Sequence, residues 1–95
     1  MIILKVQFES SLPEDKVRAI AEERAPQFRE VPGLIQKYYI KGGEPNQYGG
    51  IYIWENMESL QAYRESELAA SIPSAYKVQG APQIEMYDSM FQLRD

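Results

Sequence analysis

Apolar and polar residues alternate at the start of the chain. Along Ile2–Phe8, every second residue is Ile, Leu, Val or Phe, and the residues between them are mostly polar. A period of two predicts a strand with one face buried. Leu34–Ile40, Gly50–Glu55 and Gln83–Leu93 are predicted as three further strands, separated by segments rich in Gly and Pro.

Two helical segments are predicted between these strands. Ser11 and Glu14 have the spacing of a capping box, which predicts a helix start. The residues that follow at helical spacing are Val17, Ile20, Ala21, Arg24, Ala25 and Phe28. Pro26 is expected to end or kink this helix. Asn56 is a plausible cap for a second, shorter helix, and Pro73 is expected to stop the helical stretch that follows it.

The element order predicts the fold class. The order βαββαβ, with a hairpin at its centre, is typical of a ferredoxin-like α+β fold with a four-stranded antiparallel sheet. We expect residues 1–95 to form a single domain. Alternation places Ile51 and Ile53 on one side of the third strand and Tyr52 and Trp54 on the other. Two helices cover only one face of a sheet, so the other apolar face predicts a homodimer with the sheets packed face to face.

Composition and charge exclude several classes of function. The formal net charge is −4 and the ten Lys and Arg residues are scattered, which argues against nucleic-acid binding. Histidine and cysteine are absent, which excludes Ser-His and Cys-His nucleophiles and the usual zinc sites. No Asp-rich calcium loop is visible, so we expect no metal. The chain has no apolar run of membrane-spanning length and its start does not resemble a signal peptide, which favours a cytoplasmic protein.

Three short runs resemble a known family. The runs are PGLIQK at Pro32–Lys37, GGIYIW at Gly49–Trp54, and Ala62-Tyr63, with a weaker match in the last strand, IEMYDSMFQL. They resemble the small "putative mono-oxygenase" family of the dimeric α+β barrel superfamily, which includes cofactor-independent antibiotic-biosynthesis mono-oxygenases. The resemblance implies a homodimer with a cavity between the sheet and the helices of each subunit. Haem-degrading relatives ligate iron through a histidine, and only Tyr63 lies in that helix region here, so we expect no cofactor.

Ligand-free oxygenation requires a base, an oxyanion partner and exclusion of water. Without histidine, the base would be a carboxylate, a tyrosine or a desolvated lysine. Lys37 is the candidate catalytic residue, because its charge could stabilise a phenolate or enolate; a solvated or salt-bridged lysine is the alternative interpretation. The candidate substrate-binding residues, each of which could instead belong to the core or the dimer interface, are Tyr39, Tyr52, Trp54, Tyr63 and Tyr76. Lys37 and Tyr39 share a face, but the register that relates them to Tyr52 and Trp54 is open.

Two functions therefore stay open. The first is a cofactor-independent mono-oxygenase that acts on a small hydroxylated aromatic or a quinol. The second is a non-catalytic dimeric module for small-ligand binding or stress response. A cavity with a buried lysine or carboxylate of shifted pKa would favour the enzyme. A cavity filled by its own aromatic side chains would favour the module. The resemblance favours the mono-oxygenase. The Glu and Arg residues of the first helix, Arg24 among them, are interpreted as a solvated face.

Overall fold

A four-stranded antiparallel sheet carries all the helices on one of its faces. The structure is a computed structural model and describes residues 1–94. The elements are β1 (Ile2–Ser10), α1 (Glu14–Arg29), β2 (Leu34–Lys41), β3 (Gln47–Trp54), α2 (Met57–Arg64), α3 (Glu67–Ala70), α4 (Ile72–Ala75) and β4 (Val78–Asp88). The strands lie in the order β2-β3-β1-β4, and each neighbouring pair is antiparallel.

This arrangement confirms the predicted ferredoxin-like α+β fold. Both βα units and the central β2–β3 hairpin occur in the predicted order, and the short helices α3 and α4 follow α2 before the chain enters β4. The side chain of Asn56 accepts a hydrogen bond from the backbone N–H of Ser59 at 2.9 Å, which confirms it as the cap of α2.

Three helix boundaries differ from the prediction. The capping box is wrong, because the residue that caps α1 is Pro13 and no side chain caps its first turn. The helix does not end at Pro26 but continues to Arg29. Pro26 is exposed and lies close to the end of the helix, so its missing N–H removes one hydrogen bond there. Pro73 does not stop the helical stretch, because it lies in the first turn of α4, where no N–H is needed.

The strands also differ in length from the prediction. β3 begins at Gln47, three residues earlier than expected. β4 begins at Val78 and ends at Asp88 because these residues pair with Ser10 and Ile2, the two ends of β1. Pro82 lies within β4, at an irregularity in the pairing with β1 on the edge of the sheet. An edge strand tolerates proline where no ladder hydrogen bond is required.

The core lies between the sheet and the helices. One buried cluster joins Ile2, Leu4, Tyr52 and Trp54 of the sheet to Phe28 of α1 and to Leu60 and Tyr63 of α2. A second cluster joins Val17 and Ala21 of α1 to Tyr48 and Tyr76. Burial confirms the predicted alternation in β3, since Tyr52 and Trp54 are buried while Ile51 and Ile53 are half-buried on the opposite face. The second cluster leaves space beside α1, and this space contains the candidate site.

Candidate active site

A cleft opens between α1 and the β2–β3 half of the sheet. Its volume is about 690 Å³, which lies within the range of small-molecule sites in proteins. Its wall combines aromatic rings with charged side chains. The residues that line it are Glu14, Val17, Arg18, Ala21, Glu22, Ala25, Arg29, Lys37, Tyr38, Tyr39, Ile40, Lys41, Tyr48, Gly49 and Tyr76.

Lys37 lies on the floor of this cleft within a group of aromatic rings. It pairs with Tyr52 across the β2–β3 ladder, so both side chains project from the face that the helices cover. Its Nζ atom lies 3.5 Å from the ring centroid of Phe28, 4.3 Å from that of Tyr39 and 4.6 Å from that of Tyr52. Aromatic faces attract a cation but accept no proton. The three rings around the amine can therefore attract its charge, but none of them can accept its proton.

The electrostatic environment of Lys37 favours its neutral form. Burial, followed by the positive charge of Arg24, lowers the pKa of Lys37 from its ordinary value of 10.5 to about 7. Within residues 1–94 the ion pairs join Lys5 to Glu85 and Lys41 to Glu14, and none involves Lys37. The salt-bridged interpretation of this lysine therefore does not hold within residues 1–94, and its half-buried side chain is only partly solvated. An amine with a pKa near neutrality can accept a proton and then stabilise an adjacent anion.

Tyr39 and Tyr76 line the same cleft as Lys37. Tyr39 follows Lys37 by two residues on β2 and is 45 % exposed. Burial raises its pKa, although the charges of Arg29 and Arg24 act in the opposite direction. Tyr76 is buried, and burial raises its pKa to about 12. Both hydroxyl groups are therefore protonated at neutral pH and can donate hydrogen bonds to a ligand.

Tyr52, Tyr63 and Trp54 form an aromatic cluster behind Lys37. The rings of Tyr52 and Trp54 are stacked at 6.2 Å, and the Tyr63 hydroxyl donates a long hydrogen bond of 3.4 Å to that of Tyr52. Burial raises the pKa of both tyrosines. Tyr52 and Tyr63 line a second, mostly apolar cavity of about 180 Å³ that lies towards β4, and Trp54 lines neither cavity and is 0 % exposed. A substrate contact through Trp54 stays a prediction, and its observed position is in the core.

The six predicted site residues thus separate into three groups. Lys37, Tyr39 and Tyr76 meet in the larger cleft. Tyr52, whose ring centroid lies 4.6 Å from the Nζ atom of Lys37, faces the smaller cavity together with Tyr63, and Trp54 lies alone in the core. The register that the sequence left open is now known, since Lys37 lies opposite Tyr52 and Tyr39 lies opposite Gly50.

Sequence reasoning misplaced Arg24, which does not lie on a solvated face. Its guanidinium donates to Ser71 Oγ at 2.6 Å and to the Leu68 carbonyl at 3.4 Å, while its buried Nε has no partner within the described part of the chain. Its charge also acts on Lys37, lowering the pKa of that amine. The signal was present in the sequence, because Arg24 lies at helical spacing from the buried residues Ala21 and Phe28.

Residues 1–94 contain neither a candidate membrane-spanning helix nor a candidate metal site. None of the helices in this part of the chain is both long enough and apolar enough to cross a membrane. Across the same residues, no group of three or more His, Cys, Asp or Glu side chains is placed to hold a metal ion.

Solved structures with this fold include several oxygenases. SnoaB, described as a cofactor-independent oxygenase from Streptomyces nogalater, is 11 % identical, with coverage of 99 % of this chain and 97 % of its own and a TM-score of 0.77. The monooxygenase ActVA-Orf6 of Streptomyces coelicolor, solved in complex with nanaomycin D, is 16 % identical over 99 % and 91 % of the two chains, with a TM-score of 0.73. A protein of Deinococcus radiodurans described as a "putative antibiotic biosynthesis monooxygenase" is 14 % identical over 100 % and 98 %, with a TM-score of 0.76. At these identities the likeness establishes the fold.

Comparison with proteins of curated function gives no match. The sequence pattern of one family, described as "Putative mono-oxygenase ydhR", matches residues 3–91, which include both strands of the central hairpin and every residue of the aromatic group around Lys37. This match extends over nearly the whole chain and agrees with the resemblance carried by the PGLIQK and GGIYIW runs. The chain therefore belongs to the family described as "Putative mono-oxygenase ydhR".

Proposed function

We propose that this protein is a cofactor-independent mono-oxygenase that oxidises a small hydroxylated aromatic or a quinol in the cleft between α1 and the β2–β3 hairpin. The observation that carries the proposal is Lys37, a half-buried residue whose amine lies among three aromatic rings in an open cleft and whose pKa is lowered by burial to about 7. Perturbed titratable groups in clefts are common at catalytic sites. Membership of a mono-oxygenase family adds support.

The proposed reaction uses the substrate as the reductant. Lys37 accepts a proton from a ring hydroxyl, and the resulting ammonium stabilises the phenolate. The electron-rich ring carbon then forms a bond to dioxygen, which gives a hydroperoxide after protonation. Loss of water, with removal of the hydrogen on the same carbon, leaves a carbonyl group and hence a quinone. One oxygen atom enters the product and the other leaves as water, and all four electrons come from the substrate.

The other wall residues would orient the ring. Tyr39 and Tyr76 present protonated hydroxyl groups and aromatic faces to the same cleft. Stacking on such faces suits a flat aromatic substrate. Tyr52 packs against Lys37, since its ring centroid lies 4.6 Å from the Nζ atom.

The lysine also separates the two candidate functions. A cavity filled by its own aromatic side chains would favour a ligand-binding module without turnover. The cleft instead keeps a volume of about 690 Å³ above a lysine whose charged form is disfavoured by burial. This combination supports the enzyme over the module.

A homodimer is part of the same proposal. The sheet face away from the helices carries Ile3, Ile51 and Ile53 together with Tyr38, which is 56 % exposed, and Tyr87, which is 52 % exposed. An apolar face of this kind fits a second sheet packed against it. Sedimentation velocity of the wild type should give the mass of two chains, and Ile53→Asp should give that of one. Met57→Asp, at an exposed position of α2, is the matched control. A monomeric wild type would contradict this part of the proposal.

The enzymatic proposal is tested by oxygen uptake with purified, metal-free protein. Hydroxylated polycyclic aromatics and quinols form the panel, and heat-denatured protein corrects for their auto-oxidation. Uptake should rise with pH through about 7, as the amine loses its proton, and should fall in Lys37→Ala. The control variant is Lys16→Met, at an exposed position of α1. Uptake that is independent of Lys37 would refute its role, and binding without uptake across the panel would favour the module.

A further inference from the structure

The cleft is positively charged although the protein is negatively charged. The formal net charge of the chain is −4, but the cleft is lined by four cationic side chains and two carboxylates. One carboxylate, Glu14, is already paired with Lys41 at 3.0 Å. What stays available at the wall is Arg18 and Arg29, joined by Lys37 only where it is protonated, against Glu22 alone. The local charge therefore favours an anionic ligand.

A further cation reinforces this field from within the protein. Arg24 has only neutral hydrogen-bond partners, Ser71 and the Leu68 carbonyl, and its buried Nε has none within residues 1–94. The ion pairs in that part of the chain involve neither Arg24 nor Arg29 nor Lys37. Partly buried cations without a carboxylate are costly to maintain. An incoming anion would supply the missing counter-charge.

The positions of Arg29 and Lys37 define two ends of a binding site. Lys37 lines the cleft, and its Nζ atom lies over the ring of Phe28, 3.5 Å from the centroid. Arg29 follows Phe28 in the last turn of α1, is exposed, and lines the cleft. Its charge acts on Tyr39 and opposes the effect of burial on the pKa of that hydroxyl. Arg29 and Lys37 thus line the same cleft as Tyr39, with Arg29 exposed and Lys37 half-buried.

We propose that the cleft selects hydroxylated aromatic substrates that carry a carboxylate, with Arg29 binding the carboxylate at the mouth and Lys37 facing the ring hydroxyl on the floor. A guanidinium binds a carboxylate with two parallel hydrogen bonds, which would fix the orientation of the ring. The inference rests on the proposed function for the location of the substrate and adds the chemical class of that substrate. The aromatic wall favours a ring-borne anion over a free inorganic one, because Tyr39, Tyr48 and Tyr76 all line the space between.

Equilibrium binding of ligands that are not quinols tests this inference independently of oxygen uptake. The probe is 6-hydroxy-2-naphthoate, whose carboxylate and hydroxyl lie at opposite ends of the ring system, and its uncharged counterparts are 6-hydroxy-2-naphthamide and 2-naphthol. Titration calorimetry at pH 8 should show at least about tenfold tighter binding of the acid than of either neutral ligand, since a charge-assisted contact is worth about that factor or more. The preference should decrease when the salt concentration is raised from about 50 mM to about 500 mM, because salt screens the attraction between exposed charges.

Arg29→Gln provides the decisive variant. It should lower the affinity for the acid by about tenfold, to that of the amide, and leave the affinity for the amide unchanged. Lys16→Gln removes one positive charge from the same helix at an exposed position that lines neither cavity, and it should preserve the preference. Equal affinity for acid and amide, equal behaviour of the two variants, or no binding of the acid would each overturn the inference.

The outcomes also separate this inference from the proposed function. Oxygen uptake on neutral quinols without any preference for the acid would overturn the substrate class and leave the mono-oxygenase proposal standing. Selective binding of the acid that depends on Arg29, without oxygen uptake on any member of the panel, would support the anionic site and overturn the mono-oxygenase proposal.

Discussion

Replacing Lys37 by methionine should make this protein more stable at neutral and acidic pH while removing its candidate base. Methionine has nearly the length of lysine and no charge, and the position is enclosed by the rings of Phe28, Tyr39 and Tyr52. A thioether packs well against aromatic rings. The substitution therefore keeps the packing and removes the cost of burying an amine.

The magnitude follows from the pKa of Lys37. A fall in the pKa of Lys37 from 10.5 to about 7 on folding corresponds to about 5 kcal/mol, because a shift of one pKa unit is worth about 1.36 kcal/mol. Lys37→Met should therefore raise the free energy of unfolding by several kcal/mol, and by at most about 5 kcal/mol, at pH 6, where the lysine is mostly charged in both states.

The sign of the pH dependence is fixed by the direction of the shift. Between pH 7 and 10.5, the unfolded chain keeps a proton on Lys37 that the folded chain has lost. The stability of the wild type therefore rises with pH in this window, by at most about 1.4 kcal/mol per pH unit. Methionine does not titrate, so the advantage of the variant should shrink as the pH approaches 10. The buried tyrosines, whose pKa values are raised, affect both proteins equally and cancel in the difference.

Urea unfolding, followed by the fluorescence of Trp54, measures this difference at intervals from pH 6 to 10. Trp54 is the single tryptophan of the chain and is fully buried, so its emission should report loss of the core. Lys16→Met, at an exposed position of α1, serves as the control and should show no pH-dependent difference. The reasoning is refuted if Lys37→Met is less stable than the wild type at pH 6, or if its advantage is the same at pH 6 and pH 10.

Two other substitutions have expected effects on stability. A Cβ at Gly49 would lie 2.0 Å from the carbonyl oxygen of Val6 on the paired strand, so Gly49→Ala should lower the thermal midpoint by about 12 °C or more. A Cβ at Gly43 would have nothing within 4 Å, so Gly43→Ala should change the midpoint by less than about 4 °C. Calorimetry of both variants checks this pair, and equal midpoints would contradict it. Ser10→Ala removes the buried hydroxyl that donates to the Tyr76 carbonyl at 2.6 Å; it should cost about 1–3 kcal/mol in urea unfolding, and a loss below about 0.5 kcal/mol would show that water replaces that bond.

The sequence was sufficient for the fold because its local patterns agree with one another. Strict alternation in β3 correctly assigned Tyr52 and Trp54 to the face opposite Ile51 and Ile53. The shared face of Lys37 and Tyr39 is likewise confirmed by their pairing with Tyr52 and Gly50. These properties depend on the period of a strand, which is fixed by the backbone alone.

The relative positions of the site residues depend on how the strands pair, and this pairing cannot be deduced from local sequence patterns. Between Leu34 and Gln36 the pairing of β2 with β3 shifts by one residue, so that Leu34 lies opposite Trp54 while Lys37 lies opposite Tyr52. Such an irregularity reverses the parity of the residues that follow it, and no motif in the sequence marks it. The bounds of β4 were missed for a related reason, because the pairing with β1 decides them. The pairing extends to Val78, beyond the Gly and Pro residues that predicted a later start.

The cost of burying Lys37 and its proposed reactivity have one physical origin. An exposed lysine is charged at pH 7 and cannot accept a proton, so a lysine base must be held where its charged form is disfavoured. Phe28 and Tyr52 provide that environment by excluding water, and Arg24 adds a repulsive charge without offering a proton acceptor. If the site served only to stabilise the fold, an apolar residue at position 37 would do so better. The free energy that Lys37→Met should recover is therefore the same free energy that keeps the amine able to accept a proton from a substrate.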